Sequence, residues 1–175
     1  MLWFSAALLI AGMDLFEAGQ GGYMTYRIPG MVRLGDGTLL AYAEARKDGA
    51  GDWANIDVVM RRSVDGGQQW SDRVVLADVG TETVNNVVAI AGRGKHEVHL
   101  IYCVSYARAF YRHSVNSGKS FTEPVEITSA FEPLKKQYDW NVIATGPGHG
   151  IRLRSGRLLI PVWLSTGGKA HRPSV

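Results

Sequence analysis

The chain carries one cysteine, Cys103, among 175 residues. A single thiol closes no disulfide within the chain and builds no multi-cysteine zinc site. Set in the apolar run HLIYCVS, it reads as a core filler, because free cysteine is among the most buried residue types. Proline is sparse, at six residues, and no Gly-X-Y period exists, which excludes collagen-like and proline-rich low-complexity chains. Neither charge sign dominates: 19 Lys and Arg against 16 Asp and Glu leave a net charge of +3. The basic residues are scattered rather than blocked, so neither a nucleic-acid nor a membrane partner is expected. A mildly basic surface still suits an anionic small ligand.

Long hydrophobic runs are absent beyond the first dozen residues, MLWFSAALLIAG. That run has the length of a signal-peptide core, falls short of a membrane span and lacks a basic leader. Residues 1–13 are read as a truncated export signal or a disordered start, with an ordinary buried first strand as the alternative. An export signal would make the protein secreted or periplasmic rather than cytoplasmic. The remainder, with 46% apolar and 20% charged residues overall, is too mixed to be disordered and long enough for one packed core.

Glycine is what the chain has in excess, at 21 residues, and glycine-rich chains turn often. Met31 to Ala43, MVRLGDGTLLAYA, places Gly35-Asp36-Gly37 between two apolar runs. This is a hairpin signal, because Asp and Gly tolerate the positive φ that matches strand twist. A copy follows at Ile151 to Trp163, IRLRSGRLLIPVW, in register at Arg33 and Arg152, Leu34 and Leu153, Gly37 and Gly156, and Leu39 and Leu158. Between them lies a third strand–turn–strand unit around Gly94. A second element repeats in phase: SVDGGQQW at Ser63 to Trp70 returns 51 residues later as SVNSGKSF at Ser114 to Phe121. Both fit Ser-x-Asp/Asn-x-Gly-x-x-aromatic, a turn in which Asp65 or Asn116 accepts backbone N–H groups and the aromatic plugs apolar space. Short strands with a stereotyped turn every 50 residues or so describe an all-β fold of β-propeller blades. About three blades fit in the chain, and an open arc of blades invites self-association through its edges.

The eight-residue turns resemble the Asp-boxes, or BNR repeats, of the sialidase (neuraminidase) family. They depart from that pattern at Gln69, where Thr or Ser is usual, and at Asn116 and Phe121. The likeness is strengthened by Tyr26-Arg27-Ile28-Pro29, which is similar to the family's Phe/Tyr-Arg-Ile-Pro motif. It is followed in family order by Ala43-Glu44-Ala45-Arg46, an Asp-containing loop, the strand Asp57 to Ser63, and Thr145-Gly146-Pro147-Gly148-His149-Gly150-Ile151.

The resemblance implies a six-bladed propeller, of which residues 14–175 would be the N-terminal part, and an exo-α-sialidase that releases terminal sialic acids from glycoconjugates with retention. It implies no cofactor and no metal. His149, between two glycines, has no ligand partner at metal spacing. A carboxylate-bearing sugar calls for guanidinium groups, whose parallel N–H donors match a planar anion. By resemblance, Arg27 is one of three arginines that bind the substrate carboxylate, and Arg46 supports the site beside it. Asp52, six positions past Arg46, takes the place of the general acid/base, with Asp48 as the fallback. Asn85 resembles the position that lines the N-acetyl side of the family's pocket, with a capped turn as the alternative, and Trp140, ahead of the Gly-Pro-Gly-His segment, is read as interior packing or as a pocket wall. The family's tyrosine nucleophile, its activating glutamate and two further arginines belong to later blades and have no match here, so this chain alone is expected to be inactive. Two alternatives stand beside this reading: a non-catalytic Asp-box propeller acting as a binding or scaffolding module, and an enzyme for another anionic or ketosidic sugar.

Overall fold

The computed structural model describes residues 12–167. The reading of the chain's start as a leader falls largely on residues 1–11, outside the described residues. Two four-stranded antiparallel sheets lie in sequence order. The first contains β1 (Thr25–Arg33), β2 (Leu39–Arg46), β3 (Ile56–Ser63) and β4 (Val74–Ala77). The second contains β5 (Val84–Ala91), β6 (Val98–Val104), β7 (Arg108–Ser114) and β8 (Val125–Glu126). A nine-residue 3-10 helix, Thr128–Lys136, leads to the third blade. There β9 (Val142–Thr145) pairs with β12 (Val162–Ser165), and β10 (Ile151–Arg152) with β11 (Leu158–Leu159). The all-β reading and the blade-per-repeat reading both hold, with this short helix as the element the strand pattern did not announce. Among the described residues, no helix is long and apolar enough to cross a membrane.

Blades one and two face each other across the main core. Leu34, Leu40, Tyr42, Val58 and Met60 meet Val84, Val87, Val98, Leu100 and Val104, all at most 3% exposed. Strands sandwiched on both faces should read as apolar runs rather than alternations. VVAI in β5 and LIYCV in β6 do so. The other face of blade one is covered by Tyr23 and Phe16, which pack on Ala45 and Val59.

The repeated turns are equivalent bond for bond. In the first, Leu34 N–H donates to Thr38 C=O at 2.8 Å and Gly37 N–H to Leu34 C=O at 3.0 Å; in the last, Leu153 donates to Arg157 at 2.8 Å and Gly156 to Leu153 at 2.9 Å. Gly37 and Gly156 sit at φ 89° and 93°, a region glycine enters without penalty. The middle turn is one residue longer: Gly92 N–H reaches Glu97 C=O at 2.8 Å, and Gly94 is not left-handed. Both Asp-box turns close as the side-chain chemistry requires. Asp65 Oδ1 accepts the N–H groups of Gln68 and Gln69 at 3.1 and 3.0 Å, and Asn116 Oδ1 accepts that of Ser120 at 3.0 Å. The box serines add a bond each, to the N–H groups of Gly67 and Gly118.

The first strands of blades one and two each break in their pairing. Pairing of β1 with β2 shifts between Arg27 and Gly30, and that of β5 with β6 between Asn85 and Val88. Left-handed residues mark both breaks, Ile28 at φ 50° and Asn86 at φ 54°, and Gly146 at φ 101° follows β9. For a β-branched residue such as Ile28 this conformation is strained, and strain of this kind concentrates where structure serves a site.

Candidate active site

Arg27, Asn85 and Thr145 correspond in that each stands one residue before a left-handed neighbour. Arg27 faces away from Tyr26 because strand side chains alternate. Tyr26 turns inward to Phe16 and Tyr23, with ring centroids 5.5 and 5.7 Å away, and its hydroxyl accepts from Arg73. The motif thus anchors on one side and presents its guanidinium on the other.

Arg27 and Arg46 converge on one loop. Arg46 stands opposite Thr25, and Arg27 opposite Glu44, in the β1–β2 register, so the two arginines are diagonal neighbours across the pair. Asp52 Oδ1 lies 2.9 Å from Arg46 Nη2 and 3.3 Å from Arg27 Nη1. Both guanidinium groups also donate to the carbonyl of Ala50, Arg27 at 3.2 Å. The loop between β2 and β3 is therefore fastened at two points, with Gly49 and Gly51 on either side of Ala50. Arg27 and Asp52 remain about half exposed, at 48% and 57%, whereas Arg46 is 1% exposed. Asp48 has a different partner, the backbone N–H of Asn55 at 3.1 Å.

Beneath this pair lies a carboxylate that sequence reading left without a role. Glu44 is buried, accepts from Arg46 Nη2 at 2.6 Å and takes the N–H of Asn86 at 2.9 Å. Burial pushes the Glu44 carboxyl above its ordinary range, partly offset by the Asn86 and Arg46 bonds. Burial also disfavours the charge on Arg46, but its hydrogen bonds to Glu44 and Asp52 outweigh that and hold the guanidinium firmly cationic. A usable sequence signal existed: Glu44 and Arg46 are two apart on a strand and so share a face.

Aromatic side chains flank the loop. Trp53, 67% exposed, lies 4.6 Å from the Tyr106 ring, which is 6.2 Å from Trp163. Burial foremost, then the negative charges of Glu44 and Asp52, pushes the Tyr106 phenol up to about 12, while a bond with the Asn86 side chain works the other way. The phenol is neutral and suited to hydrogen bonding rather than to acting as a phenolate.

The remaining two sequence candidates sit deeper. Asn85 is fully buried opposite Cys103, and among the described residues its carboxamide has no hydrogen-bond partner. Trp140 is 3% exposed in the cluster between blades two and three, with Ala109 of β7 and Ile143 and Leu164 of the third blade, and Lys135 Nζ lies 4.6 Å from its ring centroid. The structure joins Arg27, Arg46 and Asp52 into one cluster, with Asn86 rather than Asn85 bonded to it.

Two Asp-boxed blades, a third begun on the same plan, and paired arginines on an acidic loop define the sialidase-type class of propeller. Residues 28–174 match the family model described as a BNR repeat-like domain. Sialidase-3 of Rattus norvegicus is 29% identical over 169 residues, covering 85% of this chain and 40% of that protein. Sialidase-4 of Homo sapiens is 32% identical over 168 residues, covering 85% and 34%. The solved sialidase of Trypanosoma rangeli in complex with sialic acid superposes with a TM-score of 0.72 at 18% identity, over 89% of this chain and 31% of that one. The chain belongs to the BNR-repeat sialidase family, and it spans 40% and 34% of the length of these two curated relatives.

Proposed function

We propose that this chain supplies the carboxylate-binding and acid/base side of an exo-α-sialidase site acting on terminal sialic acids of glycoconjugates. The observation that carries the reading is the convergence of the Arg27 and Arg46 guanidinium groups on Asp52 Oδ1. In this reading the substrate's carboxylate takes the place of Asp52 on Arg27, where the existing contact is the longer and more exposed one. Arg27 then keeps an anionic partner throughout, and Asp52, released from Arg27, takes a proton from solvent and passes it to the leaving glycosidic oxygen. The glycosidic bond breaks as an enzyme nucleophile bonds to the anomeric carbon; Asp52, now a carboxylate, takes a proton from the water that displaces that nucleophile, and the two inversions give overall retention. Gly49 and Gly51 supply the backbone freedom for that exchange. Arg46, held by Glu44, keeps the loop anchored meanwhile. Asn85 and Trp140, both enclosed, shape the pocket from beneath.

The test uses the full-length gene product on a panel of 4-methylumbelliferyl glycosides, neutral and acidic. Hydrolysis of the sialoside is expected; cleavage of another acidic sugar in its place would move the substrate assignment, and cleavage of no acidic sugar would leave a binding module. In the active protein, Asp52→Ala should lower kcat/KM about 10²–10⁴-fold on alkyl sialosides and far less on the 4-methylumbelliferyl substrate, whose leaving group needs little protonation. Equal losses on both would remove the acid role.

A further inference from the structure

Blade two carries a second cluster of chemically capable side chains at the other end of β6. His99 lies five residues before Val104, where β6 ends ahead of Tyr106, or about 17 Å along the extended strand. His99 and His113 are directly opposed on β6 and β7, with rings stacked at 4.9 Å. Glu97 Oε1 lies 3.0 Å from His113 Nε2 and 3.6 Å from His99 Nε2, and one ligand atom from each of the three residues lies within 4.8 Å of the others. A tetrahedral ion with bonds of about 2.1 Å holds its ligand atoms roughly 3.4 Å apart, a value that falls between the two Glu97–histidine separations of 3.0 and 3.6 Å.

The surroundings orient these groups as a metal shell does. His99 Nδ1 is bonded to the Tyr111 hydroxyl at 2.9 Å, leaving Nε2 toward Glu97. Glu97 Oε2 takes the N–H of Gly94 at 2.8 Å, leaving Oε1 toward the two imidazoles. Outer bonds of this kind fix the tautomer and aim of a metal-bound histidine. All three residues are partly buried, with side chains 15–25% exposed, so an ion would be reachable yet shielded.

We propose that Glu97, His99 and His113 form a binding site for a borderline divalent transition-metal ion such as Zn2+, with water in the fourth position. Two nitrogens and one carboxylate oxygen suit Zn2+ and not Ca2+, which takes six to eight oxygens. The ion would tie β6, β7 and the Gly92–Glu97 turn together, a structural clip remote from the arginine cluster.

The chain itself, without added partners, is titrated with Zn2+ by calorimetry and with Co2+ by visible absorption. Expected are one Zn2+ per chain, a Tm that climbs with the logarithm of Zn2+ concentration, the intense bands of four-coordinate Co2+, and no Tm response to Ca2+. Glu97→Gln and His113→Gln should each abolish the Co2+ bands. Tyr111→Phe, which leaves every ligand in place, should weaken Zn2+ about 10–100-fold. The inference is overturned if the chain takes up no Zn2+, or if a His99→Gln, His113→Gln double variant takes it up with unchanged affinity; the three residues are then a plain hydrogen-bonded network.

Discussion

At the scale of single residues, the site rests on Glu44. Without Glu44, Arg46 keeps Asp52 as a partner but loses its buried one, and the Asn86 N–H loses its acceptor; a lost hydrogen bond to a charged group costs about 1.5–3 kcal/mol. Glu44→Ala should therefore lower the urea midpoint by that much stability with little change in the denaturant slope, which a chemical unfolding curve reads directly. It should also free the Asp48–Asp52 loop, whose tether to Arg46 depends on where that guanidinium is held. Arg27, Arg46 and Asp52 were legible as candidates because charged side chains in a family-like motif stand out from a strand of alanines and valines. Glu44 and Asn86 were not singled out. Their roles arise from a 2.9 Å contact between residues 42 positions apart, and no local pattern encodes such a distance. Asn85 illustrates the same limit. Its side chain is adjacent in sequence to Asn86 yet faces the interior, because the bulge at this point changes which side each residue takes.

At the scale of elements, the turns between strands do more than reverse the chain. Asp36, in the first hairpin, accepts from the Ser117 hydroxyl at 2.5 Å, from His96 Nδ1 at 2.8 Å and from the Thr38 N–H at 2.9 Å. It thereby links the turn of blade one to the Asp-box of blade two. Burial alone would raise its pKa, but the bonds from Ser117, Thr38 and His96 prevail and hold it well below the ordinary value of 3.8. The sign follows from proton counting: the folded form binds fewer protons than the unfolded one, so the contribution is present above pH 3.8 and lost as pH falls below it. Asp36→Asn should cost about 2 kcal/mol at neutral pH, the usual worth of hydrogen bonds to a charged group, and it should flatten the acid limb of the stability curve. Thermal melts from pH 7 down to pH 2 check both parts. The Asp-box turns themselves were readable in full, since their bonds close within eight residues. The longer middle turn was not, because Gly94 looked like its counterparts until the Gly92–Glu97 bond lengthened the loop.

At the scale of the whole molecule, blades are joined by buried polar contacts as well as by apolar packing. Cys103 Sγ accepts the Thr145 N–H at 3.0 Å across the boundary between blades two and three. Burial pushes the thiol up to about 11, so at neutral pH it is a protonated, shielded group. A thiol reagent should label Cys103 only as the blades separate, with a rate that tracks unfolding when followed against urea; rapid labelling of the folded chain would contradict this packing. Ile151, Leu153 and Leu159 on the third-blade hairpin are exposed by 55%, 36% and 42%, an apolar edge of the kind that associates. Light scattering should report association rising with concentration, and Ile151→Lys with Leu159→Lys should suppress it. What the sequence determined alone is the local plan: strand, glycine turn, strand, Asp-box, repeated because each element satisfies its hydrogen bonds within a few residues. Only the tertiary structure decided which carboxylates meet the arginines, which asparagine reaches the cluster, and that two histidines and a glutamate share one corner of blade two. Those relations depend on strand register and on breaks in the first strands of blades one and two, where a single left-handed residue redirects every side chain beyond it.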